Sequence, residues 1–478
     1  MVNSLSFFSE LNQSKLNLPS SLIQSLQHVK GFDEEAFVAV HESGEQVVSI
    51  RLNPAKDYQL PTANYQLVPW SSSGHYLPGR PSFTLDPLFH AGAYYVQEAS
   101  SMFLEQALKQ TVNLSQPLKI LDLCAAPGGK STLIQSLMSD ASLLVSNEVI
   151  KARVNVLEEN IIKWGAANVI VTNNDPKDFQ RLENYFDVIV IDAPCSGSGL
   201  FRKDTDAIDE WSENNVRLCS QRQQRILADV LPSLKDGGVL IYSTCSYSGA
   251  EDEDICEWIV GSPESGVGSL RLSVDEGWGI VEVQSEKHGV WGYRFFPDKV
   301  RGEGFFIAAF RKELVVGSGQ LVVGGKREGK NKTKSPGVPP GETEILKSYL
   351  KSPKGFFFIN QKEEVLAVPI HLNEDLAIIQ SSLYIKKAGV KMGKIIRGEL
   401  IPDHELALST IIDPSVKRID VDETTALQYL RREDIQVHTR ETGWMVLTYM
   451  HMPLGWVKIL PNRVNNYYPK GWRILNKR

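Results

Sequence analysis

The feature that most constrains this chain is an alternation of apolar and amphipathic segments between residues 118 and 310. Residues 118–123, 143–146, 169–171, 188–191 and 238–243 are short apolar runs of the kind that become strands buried on both faces. Among them, residues 131–138, 152–163, 216–234 and 251–260 carry helical periodicity, and Gly165 is placed to close the second of these helices. Residues 291–296 and 304–310 read as two last strands joined by a charged loop. Strand–helix–strand units bring each strand back parallel to the one before it. The alternation therefore predicts an α/β fold built on a doubly wound, mostly parallel sheet.

In such a sheet, ligands bind beyond the carboxyl ends of the strands. Those positions carry chemistry here. The first strand runs into Asp122 and the turn Cys124-Ala125-Ala126-Pro127-Gly128-Gly129-Lys130, which opens a helix. Its glycines let a ligand approach the backbone, and the free N–H groups of the helix start favour an anionic group. The motif is neither GxGxxG nor a P-loop. The second strand ends at Glu148 and the third near Asp175. Glu148 there would accept hydrogen bonds from ribose hydroxyls, and Asp175 would border the base. The pocket suits a nucleoside with one compact charged group. The fourth strand ends in Asp192-Ala-Pro-Cys195-Ser-Gly-Ser-Gly199 and the fifth in Thr244-Cys245. Spacing alone leaves open which of the two thiols attacks.

The charge is divided. Residues 1–310 carry 24 Lys+Arg against 39 Asp+Glu, a net of −15; residues 311–478 carry 27 against 18, a net of +9. Residues 316–341 hold seven Gly, three Pro and five Lys/Arg, the composition of a flexible basic linker. From residue 453 to the end there are six cations, no acids, and Trp456, Tyr467, Tyr468 and Trp472; residues 384–397 add five more cations. Cations interleaved with aromatics suit RNA, whose phosphates pair with the former and whose bases stack on the latter. Five cysteines without regular spacing argue against a disulfide scaffold or a structural zinc site. With no signal-peptide pattern and no long apolar run, the expectation is a cytoplasmic monomer that does not touch a membrane. The expected divisions are an N-terminal α/β domain over 1–110, a core over 111–312, a linker over 313–341 and an RNA-binding region over 342–478. Within the first, residues 37–52 have strand character and residues 94–108 read as a helix.

Residues 124–130, 192–199 and 243–246 together resemble three motifs of the S-adenosylmethionine-dependent RNA cytosine-C5 methyltransferases. Residues 89–101, with Gly92, Tyr95, Gln97, Ser100 and Ser101, and residues 293–294 and 304–308 resemble two more. The chain departs from the family in having Glu148 where Asp is frequent and a more acidic 251–254 cluster. The resemblance implies a Rossmann-like methyltransferase core with a PUA-like α+β region at the C-terminus. It implies S-adenosyl-L-methionine as cofactor, held by residues 124–130 with Glu148, Asp175 and Asp192. It implies Cys245 as the nucleophile that adds to C6 of cytosine and Cys195 as the residue that helps the product leave. Asp192 would hold the base and Lys130 would neutralise charge on the ring. The implied target is cytosine 1407 of 16S rRNA, free or within the small ribosomal subunit, with another rRNA site or tRNA as the alternative. In this reading Cys245 sits just ahead of a helix whose dipole favours its thiolate.

Overall fold

The computed structural model describes residues 18–58, 65–262, 266–314 and 338–475. Its centre is a ten-stranded sheet. The strands are β1 (Lys119–Asp122), β2 (Leu143–Asn147), β3 (Val169–Thr172), β4 (Phe186–Asp192), β5 (Leu234–Thr244), β6 (Val267–Leu270), β7 (Val281–Gln284), β8 (Trp291–Phe295), β9 (Phe305–Lys312) and β10 (Ile385–Ala388). They lie in the order β7-β8-β9-β5-β4-β1-β2-β3-β10, with β6 also on β9. The pairs β1–β2, β2–β3, β1–β4 and β4–β5 are parallel, and the outer pairs are antiparallel. The predicted doubly wound sheet is present. Every residue of β2 and β3 is buried, as continuous apolar runs require.

The helices that flank it are α1 (Gly129–Leu137), α2 (Lys151–Trp164), α3 (Glu213–Val230) and α4 (Glu253–Gly261). Gly165 does end α2, in the left-handed conformation at φ 93°. The chain goes from β1 outward to β2 and β3, then returns to place β4 on the other side of β1. That reversal opens the crevice at the carboxyl ends of β1 and β4.

The N-terminal region differs from its sequence reading. Residues 37–42 lie in the helix Glu34–Glu42, capped by Asp33, whose side chain accepts the Ala36 N–H. Phe37 and His41, one turn apart, face inward. Only Ser49–Leu52 is a strand. The predicted helix over 94–108 is a strand, Tyr94–Val96, a 3-10 turn, Ser100–Phe103, and a helix that starts at Leu104. Tyr94–Val96 is held extended by its antiparallel pairing with Ile50–Leu52, at the edge of a four-stranded sheet.

The C-terminal region is not a separate body hung on a linker. Its strand β10 extends the core sheet at β3. Leu366, Val368, Leu376 and Ile379 share one apolar cluster with Leu182, Tyr185 and Phe186 of the core. Residues 315–337, most of the predicted linker, lie outside the described residues. This region also holds two four-stranded sheets and the helices Pro340–Lys347, Asn373–Ser382, His404–Leu408 and Glu423–Arg431. The basic features are also less open than their composition predicts. Lys386, Lys387, Lys391 and Lys394 are ion-paired to Glu158, Glu405, Glu364 and Glu363. Trp456 and Tyr468 are core side chains at 1% exposure, whereas Tyr467, Arg463, Lys470 and Arg473 are exposed.

Candidate active site

The crevice gathers most of the predicted residues. β1 ends in Asp122, which is fully buried. Its Oδ2 accepts the Ser131 hydroxyl at 2.6 Å, while Oδ1 has no hydrogen-bond partner among the described residues. The turn Cys124–Gly128 follows, and α1 starts at Gly129. Gly128 adopts φ 119°, which a side chain would strain, and a Cβ there would stand 3.3 Å from Asn160. The turn is braced from α2, where Arg153 donates to the Ala126 carbonyl at 2.6 Å and Asn160 to that of Pro127 at 2.8 Å. Burial pushes the Cys124 thiol well above its ordinary range.

Glu148 follows β2 and is buried, accepting the Ile150 N–H at 2.8 Å with Arg153 3.4 Å away. Asp175 stands beyond β3 and caps the turn Pro176–Arg181 by accepting the Lys177 N–H at 3.2 Å. At the end of β4, Asp192 accepts the Ser243 hydroxyl at 2.9 Å and forms an ion pair with Lys130 at 2.7 Å. The Lys130 ammonium also lies 5.2 Å from the Phe305 ring centroid. A cavity of about 200 Å³ is lined by Cys124–Pro127, Gly129, Lys130 and Asp192 on the core side, and by Tyr95–Glu98 and Ser101 from the N-terminal region. Glu148, Asp175 and the cysteine pair do not line it.

The two cysteines meet. Cys195, in the loop after β4, and Cys245, at the end of β5, bring their sulfurs to 3.1 Å. That is a hydrogen-bond contact, well beyond the ~2.05 Å of a disulfide. The loop is locked to β5 by the Gly199 N–H, which donates to the Cys245 carbonyl at 2.9 Å. The hydrogen bond to Cys245, and then burial, hold the Cys195 thiol well above its ordinary range. One expectation fails: α4 begins only at Glu253, so its dipole is not what faces Cys245.

Two contributors escape the sequence reading. Arg51, 1% exposed, donates from the N-terminal sheet to Gln97 at 2.8 Å and to Thr132 of α1 at 2.6 Å, over the Trp164 ring. It fastens the cavity's two walls together; no local motif marks a lone arginine in a short strand. Glu251 lies beneath the cysteine loops, and only the acidity of its cluster was visible.

The residues fit S-adenosylmethionine. The glycine-lined turn and the Asp192 carboxylate line the cavity, and Glu148 stands at the end of the neighbouring strand; that set suits a nucleoside carrying a compact charge better than a polyphosphate.

Models of known protein families match three stretches of the chain. Residues 109–311 match the family model for 16S rRNA methyltransferase RsmB/F. Residues 18–99 match the N-terminal domain of 16S rRNA methyltransferase RsmF, and residues 416–474 match the methyltransferase RsmF PUA domain. The PUA match is shorter than the 342–478 region assigned to it from the sequence. The ribosomal RNA small subunit methyltransferase F of Aeromonas salmonicida is 31% identical over 420 residues, covering 85% of each chain. That of Shewanella loihica is 29% identical, covering 85% of this chain and 83% of the relative. The crystal structure of PH0851 superposes with a TM-score of 0.54 at 25% identity, covering 62% of this chain and 67% of that one. This chain belongs to the family of ribosomal RNA small subunit methyltransferases F.

Proposed function

We propose that this chain transfers a methyl group from S-adenosylmethionine to C5 of a cytosine in 16S rRNA, at position 1407 as the resemblance implies, through a covalent bond between a cysteine sulfur and C6 of the base. The observation that carries this reading is the sulfur–sulfur contact of 3.1 Å at the ends of adjacent strands, just beyond the Lys130–Asp192 ion pair.

C5 of cytosine is a poor nucleophile. Addition of a thiolate at C6 pushes electrons onto C5 and makes it an enamine carbon. When bound, the cofactor supplies an electrophilic methyl group. Residues 124–130 with Asp122, Glu148, Asp175 and Asp192 would hold it. As the resemblance implies, Cys245 is the attacking sulfur, with the Cys195 sulfur 3.1 Å from it. Asp192 orients the amino edge of the base, and Lys130 offsets negative charge that develops on the ring. After methylation the Cys195 sulfur, its own proton released to solvent, takes the C5 proton. The electrons of that C–H bond re-form the C5–C6 double bond, and those of the Cys245–C6 bond return to sulfur, which leaves as the thiolate. The target base must be unstacked for C6 to be reached. Tyr467, Arg463, Lys470 and Arg473 would contact the RNA, and the small ribosomal subunit would be the assembly in which it is met. A cytoplasmic setting keeps both thiols reduced.

The experiment is methyl transfer from labelled S-adenosylmethionine to 16S rRNA, followed by digestion to nucleosides. The label should appear in 5-methylcytidine. Label in another nucleoside, or none, overturns the proposal.

A further inference from the structure

Beneath the two cysteines lies a carboxylate with no part in the chemistry described so far. Glu251 is fully buried, in the 3-10 turn Gly249–Glu251 that precedes α4. Its Oε1 accepts the Ser196 N–H at 2.8 Å and the Gln223 amide at 3.4 Å. Its Oε2 accepts the Ser196 hydroxyl at 2.5 Å and the Ser246 hydroxyl at 2.6 Å. Ser196 is the residue after Cys195, and Ser246 is the residue after Cys245. Gln223, from α3, also donates to the Pro194 carbonyl at 3.1 Å, on the other side of Cys195. Each cysteine is therefore flanked by a residue tied to the same carboxylate.

Burying a carboxylate is unfavourable unless its oxygens are saturated with donors. Here all four donors act together to hold the loop after β4 against the end of β5. Burial pushes the Glu251 carboxyl above its usual range, and the four donors oppose that. Apolar side chains would fill the same space without that desolvation cost.

We propose that Glu251 is a positioning residue of the methyl-transfer reaction, a clamp that sets the separation and facing of the Cys195 and Cys245 sulfurs through Ser196 and Ser246. It touches neither substrate nor cofactor. The proposal rests on the reading of the cysteine pair as the reacting groups. Its consequence is that Glu251 governs kcat and leaves KM alone, because a displacement of about 1 Å at a reacting atom costs about 10²-fold in rate.

The test uses the full chain and two variants, Glu251→Ala and Glu251→Gln. The first removes the clamp. The second keeps its volume and one accepting oxygen. Two readouts are taken on folded protein. One is kcat with KM for RNA and for cofactor. The other needs no methyl transfer: the rate at which a small aromatic disulfide, which takes up two electrons and leaves as two thiols, converts the Cys195–Cys245 pair to a disulfide, located by peptide mapping. Expected for Glu251→Ala is a loss of about 10²-fold in kcat, KM values within about twofold, and at least about tenfold slower cross-linking, with partial recovery of both rates in Glu251→Gln. If Glu251→Ala does not fold, Glu251→Gln decides alone, with cross-linking slowed by about threefold or more. Any folded variant that cross-links at the wild-type rate overturns the clamp, whatever its activity or melting temperature. A wild-type protein that cross-links normally but transfers no methyl group would instead sink the proposed function and leave the clamp standing.

Discussion

Asp122 gives the sharpest energetic prediction. The residue is fully buried at the end of β1, one carboxylate oxygen bonded to Ser131 and the other without a partner among the described residues. Burial raises its pKa from 3.8 to about 7, with Asp192 and Glu148 adding to the rise and Ser131 and Lys130 opposing it. A rise of that size corresponds to about 4 kcal/mol between the two protonation states. The folded state holds the proton more tightly than the unfolded state. The stabilisation is therefore complete below the unfolded pKa and is lost as pH rises through the folded pKa. Between about pH 5.5 and about pH 8 this one site removes about 2 kcal/mol of stability. Asp122→Asn cannot titrate and loses that slope. An unpaired amide in its place shifts stability by a constant offset, which the slope comparison cancels. The assay is equilibrium urea unfolding followed by tryptophan fluorescence for both proteins at the two pH values. Wild type should lose about 2 kcal/mol more than the variant on going to the higher pH. Parallel losses would refute the assignment of a neutral, buried acid at this position.

Three other outcomes follow from the packing. Arg294 is buried with Asp252 at 3.2 Å, is paired to Glu253, and donates to the Tyr247 carbonyl at 2.9 Å. Arg294→Met should cost about 3–5 kcal/mol, read by chemical unfolding, because it takes the buried guanidinium away from Asp252, Glu253 and the Tyr247 carbonyl. A Cβ on Gly199 would stand 2.5 Å from the Gly304 carbonyl oxygen and 2.8 Å from that of Cys245. Gly199→Ala should destabilise by about 1–3 kcal/mol and slow turnover by moving Cys245; an unchanged kcat would count against the role given to that loop. Truncation after Lys312 removes β10 and opens the cluster containing Leu182, Tyr185 and Phe186. The shortened chain should aggregate or melt well below the full chain, and a soluble core of unchanged thermal stability would contradict the shared packing.

The core and its site were legible because their signals are local. Apolar runs bounded by turn residues mark β1–β5, and the strand-end motifs sit where the parallel topology must deliver them. The N-terminal sheet was not legible for the opposite reason. Tyr94–Val96 is only three residues long and is extended because Ile50–Leu52 pairs with it, a contact about forty residues away that no window contains. Phe37 and His41 stand one helical turn apart, but the β-branched and aromatic residues around them read as strand. β10 joins β3 across more than two hundred residues. Composition overstated the basic face, since ion pairing of Lys386, Lys387, Lys391 and Lys394 is a tertiary fact. At the site, Cys195 and Cys245 were found from motifs, whereas Arg51 and Glu251 act through geometry that only the folded chain assembles.

Under the proposed function, Cys245 forms the bond to RNA and Cys195 helps to break it. The direct measurement is a denaturing gel of Cys195→Ala incubated with S-adenosylmethionine and 16S rRNA. A species that retains both protein and RNA, and that disappears when Cys245 is also replaced by alanine, is the predicted result. An adduct that forms in Cys245→Ala and requires Cys195, or no adduct in any variant of an active enzyme, would contradict it.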